Sequence, residues 1–371
     1  MSDMKVEGTL ELDERGFGFL RLASRNYSVN AMDAYISRDL IRNYGLRGGE
    51  HIEGVGQPGD TRKGSAKVIL AKVETINKLS PGEYVELTPF NDLTVIDPTR
   101  RLQFEKPGGS PSMRVVDLMT PIGMGQRGLI AAPPRTGKTV LLQQMAAGIA
   151  ANHPDLYMMV LLIDERPEEV TEMRRTVHGE VVSSSNDQHI ESHVRIARLM
   201  IAKAKRLVEA GQHVLILLDS LTRLGRAFNA FVGSSGRTMS GGMDIRALIE
   251  PKAVFGSART IEHGGSLTIL ASALIETGSR MDDLIFNEFK GTGNMELMLS
   301  REMANMRIWP AIDLNLSGTR KEELLLGRET VEKIYRLRRQ LSPMPPIKAM
   351  PTLLDMLSKY PNNEAFLKSI V

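Results

Sequence analysis

Residues 131–139 read AAPPRTGKT, and the end of this segment matches the phosphate-binding pattern G-x-x-x-x-G-K-[ST]. In that pattern the glycine lets phosphates approach the backbone, the lysine spans the outer phosphates, and the threonine hydroxyl reaches Mg²⁺. These roles fall on Gly137, Lys138 and Thr139. Ala132 replaces the first glycine of the pattern, which the turn tolerates when φ is negative there. The segment therefore predicts a phosphate cradle between a strand and a helix.

Carboxylates follow two apolar segments of strand length. Asp219 follows residues 214–218, and Asp164 and Glu165 follow residues 157–163. Open α/β sheets bind their ligands at the carboxyl ends of such strands. We expect Asp219 to hold a metal ion, directly or through water, with capping of the next turn as the alternative. Glu165 is our candidate for the residue that activates water for in-line attack on a phosphate.

Arginine, tryptophan and histidine residues add weaker signals. Arg320, in SGTRKEELL, follows a glycine turn and precedes a helix, which suits an arginine finger reaching a neighbouring subunit's phosphates; a solvated surface arginine is the alternative. Trp309 is either core packing or a plate for a nucleobase. His189 and His193 stand four residues apart, but HIESH lacks the metalloprotease pattern, so we expect exposed polar histidines.

An aromatic pair lies near the amino terminus, in RGFGFLR. Phe17 and Phe19 are two residues apart, so on a strand both rings point to the same face. Arg15 and Arg21 flank them, which is typical of a platform for stacking bases beside phosphate-attracting charges. Two rings on one face are equally what a barrel core requires. We expect single-stranded nucleic-acid binding, on a surface that would also include Asp33, Tyr35 and Lys67.

The periodicity of apolar and polar residues, which indicates the elements that position these residues, changes along the chain. Residues 1–76 alternate apolar and polar residues in short runs separated by glycines, which predicts a small closed β-barrel of the OB or cold-shock type. Residues 77–112 contain several prolines and glycines without a sustained period and are predicted to be a connector. Residues 113–371 alternate apolar strands with amphipathic helices, which predicts an α/β domain with a mainly parallel sheet.

Composition restricts the class of protein. The 371 residues are 42% hydrophobic and 25% charged, as in a globular protein of two or three domains. Cysteine is absent, which excludes disulfides and fits a reducing cytoplasm. The longest apolar runs are strand-sized and the first residues lack the apolar core of a signal peptide, so we expect neither secretion nor membrane insertion. The net charge of only +3 confines any nucleic-acid site to a local patch.

Six blocks in order along the chain resemble the bacterial Rho family of transcription termination factors. They read GFGFLR, PIGMGQRGLIAAPPRTGKT, VLLIDERPEEVTEM, ILLDSLTRLGRAFN, FKGTGNMEL and SGTRKEELL. The resemblance implies an OB-type barrel followed by a RecA-like P-loop ATPase domain, assembled as a homohexameric ring. It also implies that ATP and Mg²⁺ drive movement along single-stranded nascent RNA, and that RNA polymerase or its elongation complex is a partner from which the transcript is released.

The family's motifs also imply roles for single residues. Lys138, Glu165 and Arg320 match catalytic residues, with Glu165 as the base, and Thr139 and Asp219 match the residues that hold Mg²⁺. The residues implied to bind ATP are Arg135, Thr136, Gly137, Lys138, Thr139, Val140, Arg166 and Trp309, the last at the place of the aromatic that stacks on adenine. The residues implied to bind RNA are Phe17, Phe19, Arg21, Asp33 and Tyr35 in a primary site, and Arg237, Thr238, Ser240 and Arg280 in two channel loops.

The sequence departs from the family's pattern in three places. The chain begins almost at the barrel, without the small helical module that commonly precedes it, through truncation or natural absence. Lys67 stands where many relatives have an aromatic residue, which removes one basis for a cytosine preference. Arg237 and Arg280 stand where lysine is common, which keeps the charge and changes the hydrogen-bond geometry.

Two other readings share part of this pattern. A rotary ATP synthase subunit has the same motor fold and a catalytic glutamate after its second strand, but the phenylalanine pair and the near absence of an acidic C-terminal domain argue against it. A catalytically idle RNA-binding ring is the second. The complete set of Lys138, Glu165, Asp219 and Arg320 argues against that one.

Overall fold

The computed structural model describes residues 4–59, 67–233, 236 and 238–370, except for the side chain of residue 240. A closed barrel comes first, and a larger α/β domain follows it. This order confirms the fold class predicted from the sequence. Within the described ranges, no helix is both long and apolar enough to cross a membrane.

The barrel is built from the five amino-terminal segments that alternate apolar and polar residues. Its strands are β1 (Met4–Leu12), β2 (Gly18–Arg21), β3 (Tyr35–Ile36), β4 (His51–Pro58) and β5 (Val68–Ile76), with helix α1 (Arg38–Asn43) between β3 and β4. They close in the order β1-β2-β3-β5-β4. Inward-facing apolar residues such as Leu10, Leu20 and Ile52 fill the interior, which leaves the alternate residues free for the outer surface.

Residues 77–112 hold more regular structure than a plain connector. They contain α2 (Pro81–Val85), a 3₁₀ turn at Phe90–Asp92, and the two-residue strands β6 (Val95–Ile96) and β7 (Arg101–Leu102), and α3 (Pro111–Met119) begins at their end. β6 pairs with a strand of the α/β domain. Strand β6 therefore joins this segment to the large sheet. Local sequence periodicity does not reveal this pairing, because a two-residue strand depends on its distant partner.

The α/β domain is organised around a nine-stranded sheet. The remaining strands are β8 (Ile122–Gly123), β9 (Arg127–Ala132), β10 (Tyr157–Glu165), β11 (Glu180–Ser185), β12 (His213–Asp219), β13 (Arg259–Ile261), β14 (Ser266–Leu274), β15 (Met295–Met298) and β16 (Gly318–Thr319). The main path runs β11-β10-β12-β14-β9-β15-β16, and all pairs from β11 to β15 are parallel. Their carboxyl ends therefore lie along one edge, which we call the carboxyl edge of the sheet.

Helices cover both faces of this sheet. They are α4 (Lys138–Asn152), α5 (Pro167–Thr176), α6 (Ile190–Glu209), α7 (Leu221–Val232), α8 (Ile249–Gly256), α9 (Arg280–Lys290), α10 (Arg301–Asn305), α11 (Glu323–Leu326), α12 (Arg328–Leu341), α13 (Pro346–Ser358) and α14 (Asn363–Ser369). Successive residues of β10 alternate between two apolar cores: Val160 belongs to one and Leu161 to the other. Burial on both faces explains the continuous apolar runs of these strands.

The barrel rests on α6. Gly49 of the barrel lies so close to this helix that an added Cβ would be 2.4 Å from the carbonyl carbon of Ala202. Tyr27, just after β2, is fully buried and packs into one core of the α/β domain. Arg47 is bidentate with Glu209 at 2.6 and 3.1 Å. Close packing and ion pairs therefore fix the barrel against one helix of the α/β domain.

Candidate active site and RNA surfaces

The predicted phosphate loop joins β9 to α4 at the carboxyl edge of the sheet. Ala132 ends β9 in extended backbone, so its side chain is no obstacle to the turn. Gly137 has a φ of 79°, and an added Cβ would lie 2.8 Å from the ring of Trp309. Glycine is thus required there for two reasons: the positive φ, and the lack of space for a Cβ beside the neighbouring indole. Thr136 is buried and donates its hydroxyl to the carbonyl of Pro133 at 2.6 Å, which braces the loop.

Three predicted site residues meet beside the loop. Lys138 Nζ lies 2.5 Å from Asp219 Oδ1 and 3.4 Å from Glu165 Oε1. Ser272 donates its hydroxyl to the same Asp219 oxygen at 2.7 Å. Asp219 ends β12 and Glu165 ends β10, so the adjacent parallel strands bring the two carboxylates together. The ammonium of Lys138 lies between them.

This cluster shifts the protonation equilibria of its members. Burial, followed by the charge of Asp219, raises the pKa of Glu165 to about 6, against the opposing effect of Lys138 and Arg223. Burial alone would lower the pKa of Lys138, but Asp219 and Glu165 outweigh it, so the net pKa is raised and the lysine stays charged. A buried carboxylate that titrates near neutral pH has the property required of a general base.

Arg223 is a site residue that the sequence analysis missed. Its guanidinium lies 3.2 Å from Glu165 Oε2, although that oxygen accepts no well-aligned hydrogen bond. It also lies 3.9 Å from Asp164, which has the unusual φ of 56° at the end of β10. The available signal was its position four residues after Asp219, in the first turn of the helix that leaves the carboxyl edge. The Oε2 atom of Glu165 can therefore still accept a hydrogen bond from a water molecule.

Two cavities adjoin the phosphate loop. One, of about 580 Å³, is lined by Lys138, Glu165 and Arg223 and by the predicted residues Arg135, Thr139, Val140 and Arg166, together with Glu169. The other, of about 280 Å³, lies between Val140 on one side and Trp309 on the other. Trp309 is 42% exposed, so its ring is available on the wall of this second cavity. The pair of cavities has the polarity expected for phosphates and a nucleobase respectively.

Oxygen ligands for a hard cation are present in the larger cavity. The hydroxyl of Thr139 lies 3.4 Å from Glu169 Oε2, and Asp219 ends β12 at the same carboxyl edge of the sheet. Hydroxyl and carboxylate oxygens are the donors that Mg²⁺ uses beside substrate phosphates, so this set fits that ion. On the barrel, Glu7, His51 and Glu53 also cluster, but Lys5 already pairs with Glu53 at 3.3 Å.

Arg320 is not brought to this site within the chain. It follows β16, whose Thr319 pairs with Met295 at the amino edge of the sheet, opposite the phosphate loop. Met295 is level with Gly128, and four residues of strand separate Gly128 from Ala132, on the order of 13 Å. Burial and the charge of the nearby Arg320 lower the pKa of Arg127, at the same edge. Arg320 is exposed there.

The predicted aromatic platform forms on the barrel. Phe17, Phe19 and Tyr35 have ring centroids 5.4–5.8 Å apart, and each is partly exposed. The guanidinium of Arg15 lies 4.7 Å from the centroid of Phe17, and that of Arg21 lies 4.9 Å from Phe19. The rings therefore stand outside the barrel core, which is filled by other residues.

Three further predicted residues take different positions around this platform. Asp33 is 3% exposed and pairs with Arg21 at 2.6 Å, so it lies beneath the surface rather than on it. In this position Asp33 supports Arg21. Arg21 is itself largely buried, between two carboxylates and the ring of Phe19. Lys67 is exposed at the start of β5.

The two predicted channel segments lie side by side. An added Cβ at Gly241 would be 2.6 Å from the amide nitrogen of Met281, at the start of α9. Arg280, the first residue of α9, and Thr238 are both exposed. Arg237 lies outside the described residues, and only the backbone of Ser240 is described, in the 3₁₀ turn Ser240–Gly242. These segments expose charged and polar groups together.

The histidine pair requires a correction. His189 is exposed and precedes the first residue of α6, as expected. His193 is 5% exposed, and its Nδ1 lies 2.6 Å from the hydroxyl of Ser184. It is a satisfied core residue because the apolar face of α6 carries it into the contact with β11. Its burial depends on that contact, which spacing alone does not encode.

Comparisons with known proteins agree with both halves of this structure. The family model for the Rho termination factor RNA-binding domain matches residues 6–82. The model for the nucleotide-binding domain of the ATP synthase alpha/beta family matches residues 112–319. A solved ATPase from the type III secretion system of pathogenic bacteria covers 75% of this chain and 79% of its own, with a TM-score of 0.61 and 22% identity. That likeness concerns the fold.

Curated relatives match across both domains. Transcription termination factor Rho of Rhodopirellula baltica is 49% identical over 99% of this chain and 72% of its own length. Rho of Pseudomonas fluorescens biotype C is 50% identical over 99% of this chain and 88% of its own, and the same figures hold for Rho of Escherichia coli strain K12. These matches include the barrel, which the ATP synthase model does not cover.

Proposed function

The chain belongs to the Rho family of transcription termination factors, and we propose that it couples ATP hydrolysis to movement along RNA and so releases nascent transcripts. The observation that carries this proposal is the joining of two sites in one chain. A lysine and two carboxylates meet at the phosphate loop, and an aromatic platform stands on the barrel. An ATPase of this family uses the site at the phosphate loop to drive movement of the nucleic acid that the aromatic platform binds.

ATP occupies the two cavities beside the phosphate loop. Its base stacks on Trp309, and its phosphates lie against the backbone from Thr136 to Thr139 and the start of α4, where the helix dipole favours negative charge. Arg135 and Arg166, both exposed at the rim of the larger cavity, contribute positive charge. Lys138 exchanges its carboxylate partners for phosphate oxygens.

That exchange prepares Glu165 for catalysis. With Lys138 drawn to the phosphates, Glu165 loses one of the cations that lower its pKa and keeps Arg223. Its Oε2 accepts a hydrogen bond from the attacking water and then takes the proton as the water oxygen bonds to the γ-phosphorus. The bond from the γ-phosphorus to the bridging oxygen breaks in the same step, and ADP leaves with that electron pair. Thr139 and Asp219 would hold Mg²⁺, which would neutralise charge on the phosphates.

The site is completed between subunits of a homohexameric ring. Arg320 lies at the opposite edge of the sheet from its own phosphate loop, so it serves the loop of a neighbour in a head-to-tail arrangement. Apolar side chains are exposed at both places: Val140 and Trp309 beside the nucleotide cavities, and Leu324 four residues after Arg320. Such surfaces are typical of an interface that repeats around a closed ring.

RNA is bound at two places. Phe17, Phe19 and Tyr35 stack bases of a single strand on the barrel. Thr238 and Arg280 line the channel and move the strand. The elongation complex of RNA polymerase is the partner from which the transcript is pulled, and the compartment is the cytoplasm.

Steady-state ATP hydrolysis with and without RNA tests this function. We expect the rate to rise sharply when polycytidylate or polyuridylate is added, and to stay low with double-stranded DNA. The Phe19→Ala variant should require more RNA for the same rate. A rate indifferent to RNA would contradict the coupled motor.

A further inference from the structure

A chain of ion pairs runs from the α/β domain into the barrel. Arg195 of α6 donates from Nε and Nη2 to the two carboxylate oxygens of Glu11 of β1, at 2.5 and 2.9 Å. Glu11 also accepts from Arg21 Nε at 2.6 Å. Arg21 in turn binds Asp33 at 2.6 Å, and Asp33 binds Arg25 at 3.1 Å. Positive and negative groups therefore alternate over five side chains, and only the first belongs to the α/β domain.

This chain of ion pairs runs beside the aromatic platform. Glu11 is paired across the strands with Phe19, and Phe19 with Tyr35, so the three share one face of the sheet. The guanidinium of Arg21 lies against the ring of Phe19. The position of Arg21, and with it one wall of the Phe19 ring, is therefore set by Glu11 from one side and Asp33 from the other.

Arg195 is well fixed for this task. Its neighbours Val194 and Ile196 are buried in a core of the α/β domain, so the helix cannot rotate freely. Arg195 also donates to the backbone carbonyl of Tyr27, which is itself buried in that core. Its contacts thus join α6, β1 and the segment after β2 at one point.

The same chain of ion pairs also sets the local charge. Three guanidinium groups face two carboxylates, which leaves one net positive charge beside the platform. Without Arg195 the charges of the four remaining groups would cancel. Glu11 would still pair with Arg21 but would lose its second guanidinium partner. Both changes disfavour a phosphate next to Phe19, the first through the potential and the second through the geometry of Arg21.

We propose that Arg195 is a positioning residue for the RNA site of the barrel, acting through Glu11 on Arg21. RNA affinity at the platform therefore depends on a residue of the ATPase domain. This inference rests on the proposed function of the barrel and adds to it: the platform reaches full affinity only when the barrel is seated on α6.

Binding of a short fluorescent oligocytidylate to the full-length chain, followed by anisotropy, tests the inference. We expect Arg195→Gln to weaken binding about fivefold, at the lower end of the coupling between sites. Arg195→Lys, which keeps the charge and loses the paired contact, should restore part of the affinity. Arg198→Gln is the matched control, because Arg198 lies on the same helix and makes a paired contact with Glu250 inside the α/β domain. It should leave RNA affinity unchanged.

A split in the ATPase kinetics separates positioning from general damage. In Arg195→Gln the RNA concentration for half-maximal stimulation should rise by the same factor, with the rate at saturating RNA and the KM for ATP unchanged. On a Glu11→Gln background, Arg195→Gln should have a clearly smaller effect than in the parent, since the intermediary is gone and only the charge of Arg195 is left to act. Equal RNA affinity in the parent and Arg195→Gln, or additive effects in the double variant, would overturn the inference.

The same measurements keep the inference distinct from the function on which it rests. If Phe19→Ala loses RNA binding while Arg195→Gln keeps it, the platform stands and the role of Arg195 falls. If Phe19→Ala also keeps RNA binding, the platform itself is wrong. Should Arg195→Gln fail to fold, Arg195→Lys decides: unchanged affinity relative to the parent overturns the inference.

Discussion

Glu165 is the base that we propose, and its properties come from its surroundings more than from its residue type. It is 2% exposed, shares the cation Lys138 with Asp219, and has Arg223 as a second cation beside it. Removing its charge while keeping its shape separates catalysis from binding. We expect Glu165→Gln to retain ATP binding, measured with a fluorescent analogue, and to lower steady-state phosphate release by about 10²–10⁴-fold. Glu168→Gln, three residues on and exposed, is the control and should hydrolyse ATP normally; turnover near the parent rate in Glu165→Gln would show that another group is the base.

The raised pKa of Glu165 predicts a pH dependence. The carboxylate can accept a proton only when ionised, and burial followed by Asp219 raises its pKa from the usual 4.5 to about 6. The rate should therefore rise with pH through about 6, because the base is protonated below that value. The measurement is kcat/KM for ATP at saturating RNA, since this ratio reports the free enzyme. An acid limb centred at the usual carboxylate value would contradict the assignment.

At the scale of elements, α6 connects the two domains. Gly49 approaches this helix at a φ of 90°, and an added methyl group would collide with the backbone of Ala202 and Lys203. Gly45 also has a positive φ, of 60°, but nothing lies near it. Both Gly→Ala changes strain the backbone, and only Gly49→Ala also overpacks the contact, by about 1–3 kcal/mol.

We therefore expect Gly49→Ala to displace the barrel from α6. The RNA stimulation of ATPase activity should fall further in Gly49→Ala than in Gly45→Ala, while ATP affinity stays the same in both. The melting temperature of Gly49→Ala should also be the lower of the two. Equal behaviour of the two variants would mean that the close approach at Gly49 does not hold the barrel in place.

The elements that the sequence predicted are those with a local signal. Alternation marked the barrel strands, and the apolar runs around GKT marked β9 and α4, because period and burial are properties of neighbouring residues. The meeting of Lys138 with the carboxylates also followed, since parallel strands end at one edge. Burial of Asp33 and His193, the pairing of β6 and the contact of Arg223 with Glu165 did not follow. Each depends on a partner distant in sequence, which composition and spacing do not specify.

At the scale of the whole molecule, the opposite placement of Arg320 and the phosphate loop predicts complementation. Lys138→Ala and Arg320→Ala rings should each be inactive. In mixed rings, an Arg320→Ala subunit still supplies Lys138 and a Lys138→Ala neighbour still supplies Arg320. Random mixing of equal amounts leaves roughly a quarter of the interfaces complete, so RNA-stimulated ATPase activity should reappear. Mixtures as inactive as the separate variants would place both residues in the same subunit's site.

The most direct test of the account is transcription in vitro on a long template, with purified RNA polymerase, in the presence and absence of this protein. With ATP, the account predicts shortened transcripts that are found free in solution. With a non-hydrolysable ATP analogue, or with Glu165→Gln, the transcripts should remain full length and bound. Full-length transcripts in the presence of the parent protein and ATP would contradict the central claim that ATP hydrolysis at Glu165 is used to release nascent RNA.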